Sequence, residues 1–135
     1  MKTIKGKVMI IDSDLASHEM MIEYLKVNGY FVLTAANRAD AQQKINHNQT
    51  DGHPIDIVIL EYELDEKVKG PEFIKVNYDK NIEFIGISPY PEKKCEFFAA
   101  GASGFLTKPI DFLALTRTVI TLMDVREKLY QLVLV

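Results

Sequence analysis

The sequence predicts one α/β domain, a doubly wound (βα)5 fold in which a five-stranded parallel sheet carries helices on both faces. Short apolar runs alternate with segments of helical spacing along the 135 residues, and strands joined by helices form parallel sheets with right-handed crossovers. The runs at residues 7–11 and 55–60 are mostly apolar, which is typical of central strands buried on both faces.

Each element of this fold has a local signal. The apolar runs predict strands at residues 7–11, 30–34, 55–60, 82–87 and 104–107. Residues 12–14 supply N-cap side chains for a first helix that Gly29 ends. The later helices are predicted at residues 38–47, in a short segment from Pro71, at residues 91–100, and at residues 111–130 with Asp111 as the cap.

Composition excludes several classes of function. The net charge of −3 provides no basic field that would attract nucleic acid or anionic lipid. No apolar run approaches the roughly 20 residues that span a bilayer, and Asp12 and Asp14 interrupt the run that a signal peptide would need. Cys95 is the single cysteine, so the chain forms no internal disulfide, as is typical of a cytoplasmic protein. We expect its side chain to be unreactive and packed within a helix. The three histidines match no metal motif.

Polar side chains stand where four of the predicted strands end. They are Asp12, Ser13, Glu61, Ser88 and Lys108. The carboxyl ends of parallel strands meet at one edge of a sheet, which is where open α/β sheets bind their ligands. Carboxylates beside a lysine suit a hard cation such as Mg²⁺ together with a phosphoryl group, because the metal prefers oxygen ligands and the ammonium neutralises phosphoryl oxygens.

Four segments together resemble the receiver domain of two-component response regulators. They read IIDSD at residues 10–14, DIVILE at 56–61, IGIS at 85–88 and GASGFLTKP at 101–109. The last segment is the most specific match, and the resemblance spans nearly the whole chain. It implies a flavodoxin-like domain that accepts a phosphoryl group on an aspartate from a histidine kinase. It also implies Mg²⁺ binding through an acidic pair after the first strand together with the acceptor.

The resemblance assigns a role to each residue of the edge. Lys108 matches the lysine that contacts the phosphoryl group, and Ser88 matches the hydroxyl after the fourth strand. Phe105 matches the aromatic switch that reports the state of the site to helix 4, strand 5 and helix 5. Asp12 and Glu61 hold the positions of metal ligands, and Glu61 also holds the acceptor position. The Lys108–Pro109 peptide bond matches one that the family usually holds cis.

Departures from the family pattern argue against ordinary phosphorylation. Glu61 replaces the acceptor aspartate, Ser13 replaces one carboxylate of the acidic pair, Asp65 stands in place of a proline, and Gly70 falls one residue late. Glutamate places its carboxylate about 1.5 Å deeper than aspartate, towards Lys108, and a misplacement of about 1 Å can cost ~100-fold in rate. We therefore predict a pseudo-receiver, a signalling module rather than an enzyme, with a weakened Mg²⁺ site.

Three other interpretations stay open at the level of the sequence. Glu61 is a relic without function, or the domain is a phosphorylation-competent, Mg-dependent receiver that accepts a phosphoryl group from a histidine kinase. The third is a different doubly wound protein that binds a nucleotide or flavin. Against it stands the lack of a glycine-rich phosphate loop after the first predicted strand.

The last predicted helix is long for one sheet edge. Apolar residues at 112, 115, 119, 122 and 129 follow a 3,4 spacing that Arg126 interrupts. One explanation is that the helix packs on the core and simply extends past the edge of the sheet. The other is that its end contacts a second copy in a dimer or leads to an output domain. We assign residues 1–130 to the receiver domain and 131–135 to the start of a connector or a truncated end. The expected partners are a histidine kinase or other signalling protein, an attached output domain, and a second copy through helix 4, strand 5 and helix 5, with no nucleic acid and no membrane.

Overall fold

The fold is the five-stranded parallel sheet that the sequence predicts. The computed structural model describes residues 4–12 and 15–134. The strands are β1 (Lys7–Ile11), β2 (Phe31–Ala35), β3 (Ile57–Glu61), β4 (Glu83–Ser88) and β5 (Gly104–Thr107). They pair in the order β2-β1-β3-β4-β5, and every pair is parallel. The direction of winding changes between β1 and β3, and such a switch point opens a crevice at the carboxyl edge of the sheet.

Helices cover both faces of the sheet. In the described part of the chain they are α1 (Leu15–Val27), α2 (Arg38–Thr50), α3 (Gly70–Val76), α4 (Lys94–Ala100) and α5 (Phe112–Leu134). Two 3₁₀ turns, Tyr78–Lys80 and Pro91–Lys93, precede β4 and α4. None of the described helices is both long enough and apolar enough to cross a membrane.

Two apolar clusters hold the helices against the sheet. Successive residues of a strand point to opposite faces, so Val8 packs with Leu25 of α1 and Leu115 of α5, whereas Met9 packs with Ile45 of α2. All five of these side chains are fully buried. The central strands are therefore buried on both faces, as their nearly continuous apolar sequence indicates.

Signals at the ends of three helices act as predicted. Gly29 follows α1 with a φ of +95°, a conformation that glycine adopts without strain. Pro71 lies in the first turn of α3, where its missing N–H costs nothing. The carboxylate of Asp111 accepts the backbone N–H groups of Leu113 (3.0 Å) and Ala114 (3.2 Å) at the start of α5.

The predicted end of the second helix, near residue 47, is wrong because α2 continues to Thr50. The side-chain amide of Asn48 donates to a carbonyl one turn earlier (2.7 Å). Gln49 donates to the carbonyl of Ile55 (3.2 Å) and accepts its N–H (2.7 Å). These amides therefore stabilise the last turn, and the chain reverses only at Gly52, where φ is +89°.

Three strand starts also differ from the prediction, since β2 and β4 begin one residue later and β3 two residues later. Ile55 is fully buried although it precedes β3. A prediction that relies on the apolar run alone therefore starts this strand too early. The strand itself begins at Ile57, although the N–H of Asp56 already donates to the carbonyl of Lys7 (2.9 Å) and its carbonyl accepts the N–H of Glu83 (2.9 Å). The carboxylate of Asp56 accepts the N–H of Lys7 (2.8 Å).

The long helix α5 is anchored by the residue that interrupts its apolar spacing. It spans 23 residues, about 35 Å. The guanidinium of Arg126 lies 3.5 Å from the carboxylate of Asp56 and 3.4 Å from that of Glu83, at the amino edge of the sheet. Beyond this anchor the helix leaves the core, because the side chain of Leu129 is 57% exposed.

One aromatic side chain packs tightly against two glycines. A Cβ atom at Gly86 of β4 would lie 2.5 Å from the ring of Phe97, and one at Gly70 would lie 3.0 Å from the same ring. Phe97 is fully buried. Its ring therefore occupies the space that side chains at these two positions would need.

We expect Gly86→Ala to lower the free energy of unfolding by about 1–3 kcal/mol, because the added methyl overpacks the core. Denaturant titration followed by circular dichroism measures the loss. In a Phe97→Leu background the same substitution should cost less, since leucine leaves room above β4. An equal cost in both backgrounds would contradict the packing described for Phe97.

Candidate functional site

The carboxyl edge of the sheet brings together four of the five predicted edge residues. Asp12 follows β1, Glu61 ends β3, Ser88 ends β4 and Lys108 follows β5. The side chains of Asp12 and Ser88 are nearly inaccessible to solvent. Ser13 and its neighbour Asp14 lie outside the described residues.

An ammonium group bridges the two carboxylates of the site. The Nζ atom of Lys108 lies 3.1 Å from Oδ1 of Asp12 and 3.6 Å from Oε2 of Glu61. The Asp12 side chain is 0% exposed, whereas Lys108 and Glu61 are 15% and 16% exposed. Charges removed from water to this extent require a partner, and the lysine supplies it to both acids.

Backbone hydrogen bonds place Ser88 and Lys108 next to each other. The N–H of Lys108 donates to the carbonyl of Ser88 (2.8 Å). The hydroxyl oxygen of Ser88 accepts the N–H of Tyr90 (3.0 Å), which fixes the turn after β4. The Lys108–Pro109 peptide bond is cis, as the resemblance implies.

Phe105, the expected switch residue, is half-buried on β5. Its ring lies 5.7 Å from that of Phe97, centroid to centroid. Of the two neighbouring phenylalanines on α4, Phe97 belongs to the core and Phe98 is 42% exposed. The expectation that Cys95 packs inside the same helix is wrong, because this thiol is exposed.

The acidic loop after β3 is ordered by specific contacts. Asp65 accepts the N–H groups of Lys67 (2.8 Å) and Val68 (2.6 Å), and its carboxylate pairs with Arg38 of α2 at 2.7 Å. The hydrogen bond from Arg38 is the main cause that lowers the pKa of Asp65 to about 2, and the Val68 N–H adds to it. Asp65 thus holds the loop at the position where the sequence departs from the family's proline.

Sequence reasoning missed the roles of three side chains near the edge. Tyr62 packs edge-on against Phe97, with ring centroids 6.1 Å apart, and Lys93 lies 4.2 Å from the centroid of the tyrosine ring. A ring nitrogen of His18 lies 2.9 Å from the carbonyl oxygen of Asp12. An aromatic residue directly after a buried strand is a signal for Tyr62, whereas no sequence spacing indicates the contact of His18.

Comparison with known proteins identifies the family. The family model described as the response regulator receiver domain matches residues 8–120. The chain therefore belongs to the response regulator receiver family, and its sheet order is that of the flavodoxin-like fold of this family. The domain is accordingly a receiver of two-component signalling. This membership removes the nucleotide- or flavin-binding alternative.

Solved structures agree with the family assignment. The chain is similar to a response regulator from Chloroflexus aurantiacus (25% identity, TM-score 0.78, covering 88% of this chain and 98% of that one). It is also similar to the chemotaxis response regulator CheY4 of Vibrio cholerae (27% identity, TM-score 0.75, covering 89% and 99%). The signal receiver domain of an HD domain-containing protein from Pseudomonas fluorescens shares the fold at 17% identity (TM-score 0.81, covering 97% and 96%). A comparison with curated proteins finds no match.

Receiver domains typically bind Mg²⁺ in their acidic pocket, and the residues described here fit that ion poorly. Among residues 4–12 and 15–134, no group of three His, Cys, Asp or Glu side chains is arranged to hold a metal. Asp12 and Glu61 supply two carboxylates, but Lys108 lies between them and competes with a cation for their oxygens. Mg²⁺ usually keeps several waters and is held by only one or two carboxylates, so the ammonium of Lys108 at both acids is what opposes a cation here.

We expect Lys108→Met to lower the free energy of unfolding by about 1–3 kcal/mol, because it removes the positive charge from two largely buried carboxylates. Urea unfolding at neutral pH measures the effect. Adding Glu61→Gln should restore part of the stability, since one negative charge is then removed as well.

The control for this experiment is Lys44→Met. It removes an exposed i,i+4 ion pair with Asp40 and should cost no more than about 0.5 kcal/mol. If Lys108→Met were as mild as this control, the bridging ammonium would not hold the site together.

We also expect Arg38→Ala to raise the pKa of Asp65 towards its usual value of 3.8. The pKa of Asp65 is depressed in the folded state, so this carboxylate stabilises the fold above about pH 4 and loses that effect as the pH falls towards 2. A carboxyl ¹³C NMR titration reads the pKa directly. Arg117→Ala, which removes an exposed arginine of α5, should leave it unchanged, and an unchanged pKa in Arg38→Ala would contradict the assignment.

Proposed function

We propose that this domain is a degenerate receiver, a two-component signalling module that is not phosphorylated on aspartate. In this proposal it acts by binding a partner or by controlling an attached output domain. The observation that carries the proposal is the approach of Lys108 to Glu61 and Asp12, at 3.6 Å and 3.1 Å. These three residues form a charged cluster, called the pocket below, whose charges already neutralise one another in part.

The length of Glu61 supports this function on chemical grounds. Transfer of a phosphoryl group needs the attacking oxygen in line with the bond that breaks, and about 1 Å of misplacement can cost ~100-fold. The extra methylene of glutamate moves the oxygen by about 1.5 Å. The carboxylate then meets the ammonium of Lys108 and takes the contact that an oxygen of a phosphoryl group would otherwise make.

We assign Ser88 and Phe105 to the switch of the receiver, and Asp12, Glu61 and Lys108 to its pocket. Ser88 is buried at the end of β4 and shares a backbone hydrogen bond with Lys108, so a change at the pocket reaches it directly. With Glu61 fixed against Lys108, the domain stays in one of the two receiver states.

The remaining parts of the proposal concern partners and boundaries. We assign residues 1–130 to the receiver and residues 131–135 to the start of a connector or a truncated end, since α5 has left the core by Leu129. The family implies histidine kinases and output domains as partners. Within this proposal the domain works in the cytoplasm, and a second copy binds through α4, β5 and α5.

Intact-protein mass after incubation with acetyl phosphate and Mg²⁺ tests the proposed function. We expect no phosphoryl adduct on the wild type, because the glutamate oxygen lies out of line and pairs with Lys108. Glu61→Asp returns the oxygen to the shorter position and should gain a hydroxylamine-labile adduct. Glu61→Gln, which cannot form an acyl phosphate at residue 61, is the matched control.

The outcomes separate the competing interpretations. A labile adduct on the wild type that Glu61→Gln abolishes would overturn the proposal and establish a phosphorylation-competent receiver. An adduct on Glu61→Asp alone would show that side-chain length blocks the chemistry. If neither protein gains an adduct, the metal site is also lost and the domain works by binding alone.

A further inference from the structure

Three aromatic rings connect the pocket to the expected switch. Tyr62 follows Glu61 directly, and its ring meets that of Phe97 at 6.1 Å with an interplanar angle of 77°. The ring of Phe97 in turn meets that of Phe105 at 5.7 Å and 48°. Edge-on and tilted pairs at these separations are attractive contacts, so the rings form one continuous packed row.

Tyr62 is held at both its backbone and its ring. Its carbonyl accepts the N–H of Gly70 at the start of α3 (2.7 Å). The ammonium of Lys93 lies 4.2 Å from the ring centroid, within the range of a cation–π interaction. A hydrogen bond with Glu96 of α4 is the main cause that raises the pKa of the Tyr62 hydroxyl. Tyr62, the residue after Glu61, is therefore held against the beginning of α4.

Phe97 has no free space in which to move alone. A Cβ atom at Gly86 or Gly70 would lie 2.5 Å or 3.0 Å from its ring, so the ring lies directly on the backbone of β4 and of α3. Close-packed interiors change between discrete arrangements rather than deforming continuously. A displacement of Tyr62 would therefore change the packing of the Phe97 ring, and through it that of Phe105.

We infer that Phe97 is a positioning residue that transmits the state of the Glu61 pocket to Phe105 through Tyr62. This inference rests on the proposed function, because the pairing of Glu61 with Lys108 must be what holds the domain in its one state. Neighbouring residues of a strand point to opposite faces. Glu61 is the last residue of β3 and its carboxylate lies at Lys108, whereas the ring of Tyr62, the next residue, lies against Phe97 of α4. A change in the backbone at Glu61 therefore turns both side chains together.

This route differs from one that runs through Ser88. The hydroxyl oxygen of Ser88 accepts the N–H of Tyr90 in the turn after β4, whereas the ring of Phe105 contacts that of Phe97. Phe97 belongs to α4, so the same ring links Phe105 to the surface of that helix. Contact alone does not establish energetic coupling, which has to be measured by combining variants.

Fluorine NMR of protein labelled with 4-fluorophenylalanine tests the inference on the native set of rings. The chain has seven phenylalanines, and single Phe→Leu variants assign the resonances of Phe97, Phe98 and Phe105. We expect Glu61→Gln, which removes the charge paired with Lys108 at constant length, to shift the Phe97 and Phe105 resonances. The exposed Phe98 next to Phe97 should not shift and is an internal control.

The same comparison in a Tyr62→Leu background decides the route. The Glu61→Gln shift at Phe105 should be lost there, and it should also be lost in Phe97→Leu, while Phe98→Leu should retain it. Circular dichroism confirms that each variant is folded, and leucine keeps the sites apolar where alanine would leave a cavity. Should one of the two fail to fold, the other still gives the answer.

A shift at Phe105 that persists in folded Tyr62→Leu or Phe97→Leu protein would overturn the inference. So would the absence of any shift in the parent protein, or an equal loss in Phe98→Leu, which would indicate general loosening of α4. The experiment contains no phosphoryl donor. Its failure is therefore distinct from failure of the proposed function, which the mass measurement with acetyl phosphate decides.

Discussion

The contact of one ammonium group with two carboxylates is the constraint on which the candidate site depends. Lys108 stands after the last strand, whereas Asp12 and Glu61 stand after the first and at the end of the third. The three charges can meet only if β1, β3 and β5 end at the same edge. The parallel order of the sheet supplies that condition. Because Asp12 has no exposed side-chain surface, its charge is compatible with the fold only when the cation is in place.

The packing around Phe97 ties this edge to the rest of the molecule. Gly86 on β4 and Gly70 at the start of α3 leave room for a large ring where a side chain would otherwise stand. That ring touches the residue after Glu61 on one side and Phe105 on the other. A row of aromatic side chains thus runs from the residue after Glu61, through Phe97 of α4, to Phe105.

Charged contacts away from the pocket hold the elements that carry it. Arg38 of α2 fixes Asp65 in the loop after β3, where the family places a proline, so an ion pair and two backbone hydrogen bonds order a segment that a rigid residue would otherwise order. At the opposite edge, Arg126 fixes α5 against Asp56 and Glu83. The helix is therefore held at the amino edge of the sheet before the stretch from Leu129 to Leu132, which is exposed.

The sequence by itself determined the order of elements, the parallel sheet and the edge at which Asp12, Glu61, Ser88 and Lys108 meet. Apolar periodicity, caps such as Asp111 and turn residues such as Gly29 are local signals, and the parallel pairing follows from strands that are joined by helices. Only the tertiary structure decided the contacts between side chains far apart in the chain. Each of three such contacts joins residues at least 11 positions apart. They are the packing of the Phe97 ring against Gly86 and Gly70, the ion pair of Asp65 with Arg38, and the ion pair of Arg126 with Asp56. Local sequence preferences carry no information about contacts between residues so far apart in the chain. The same reason explains why α2 extends beyond its predicted end, since Gln49 bonds to Ile55 in the connection that follows the helix.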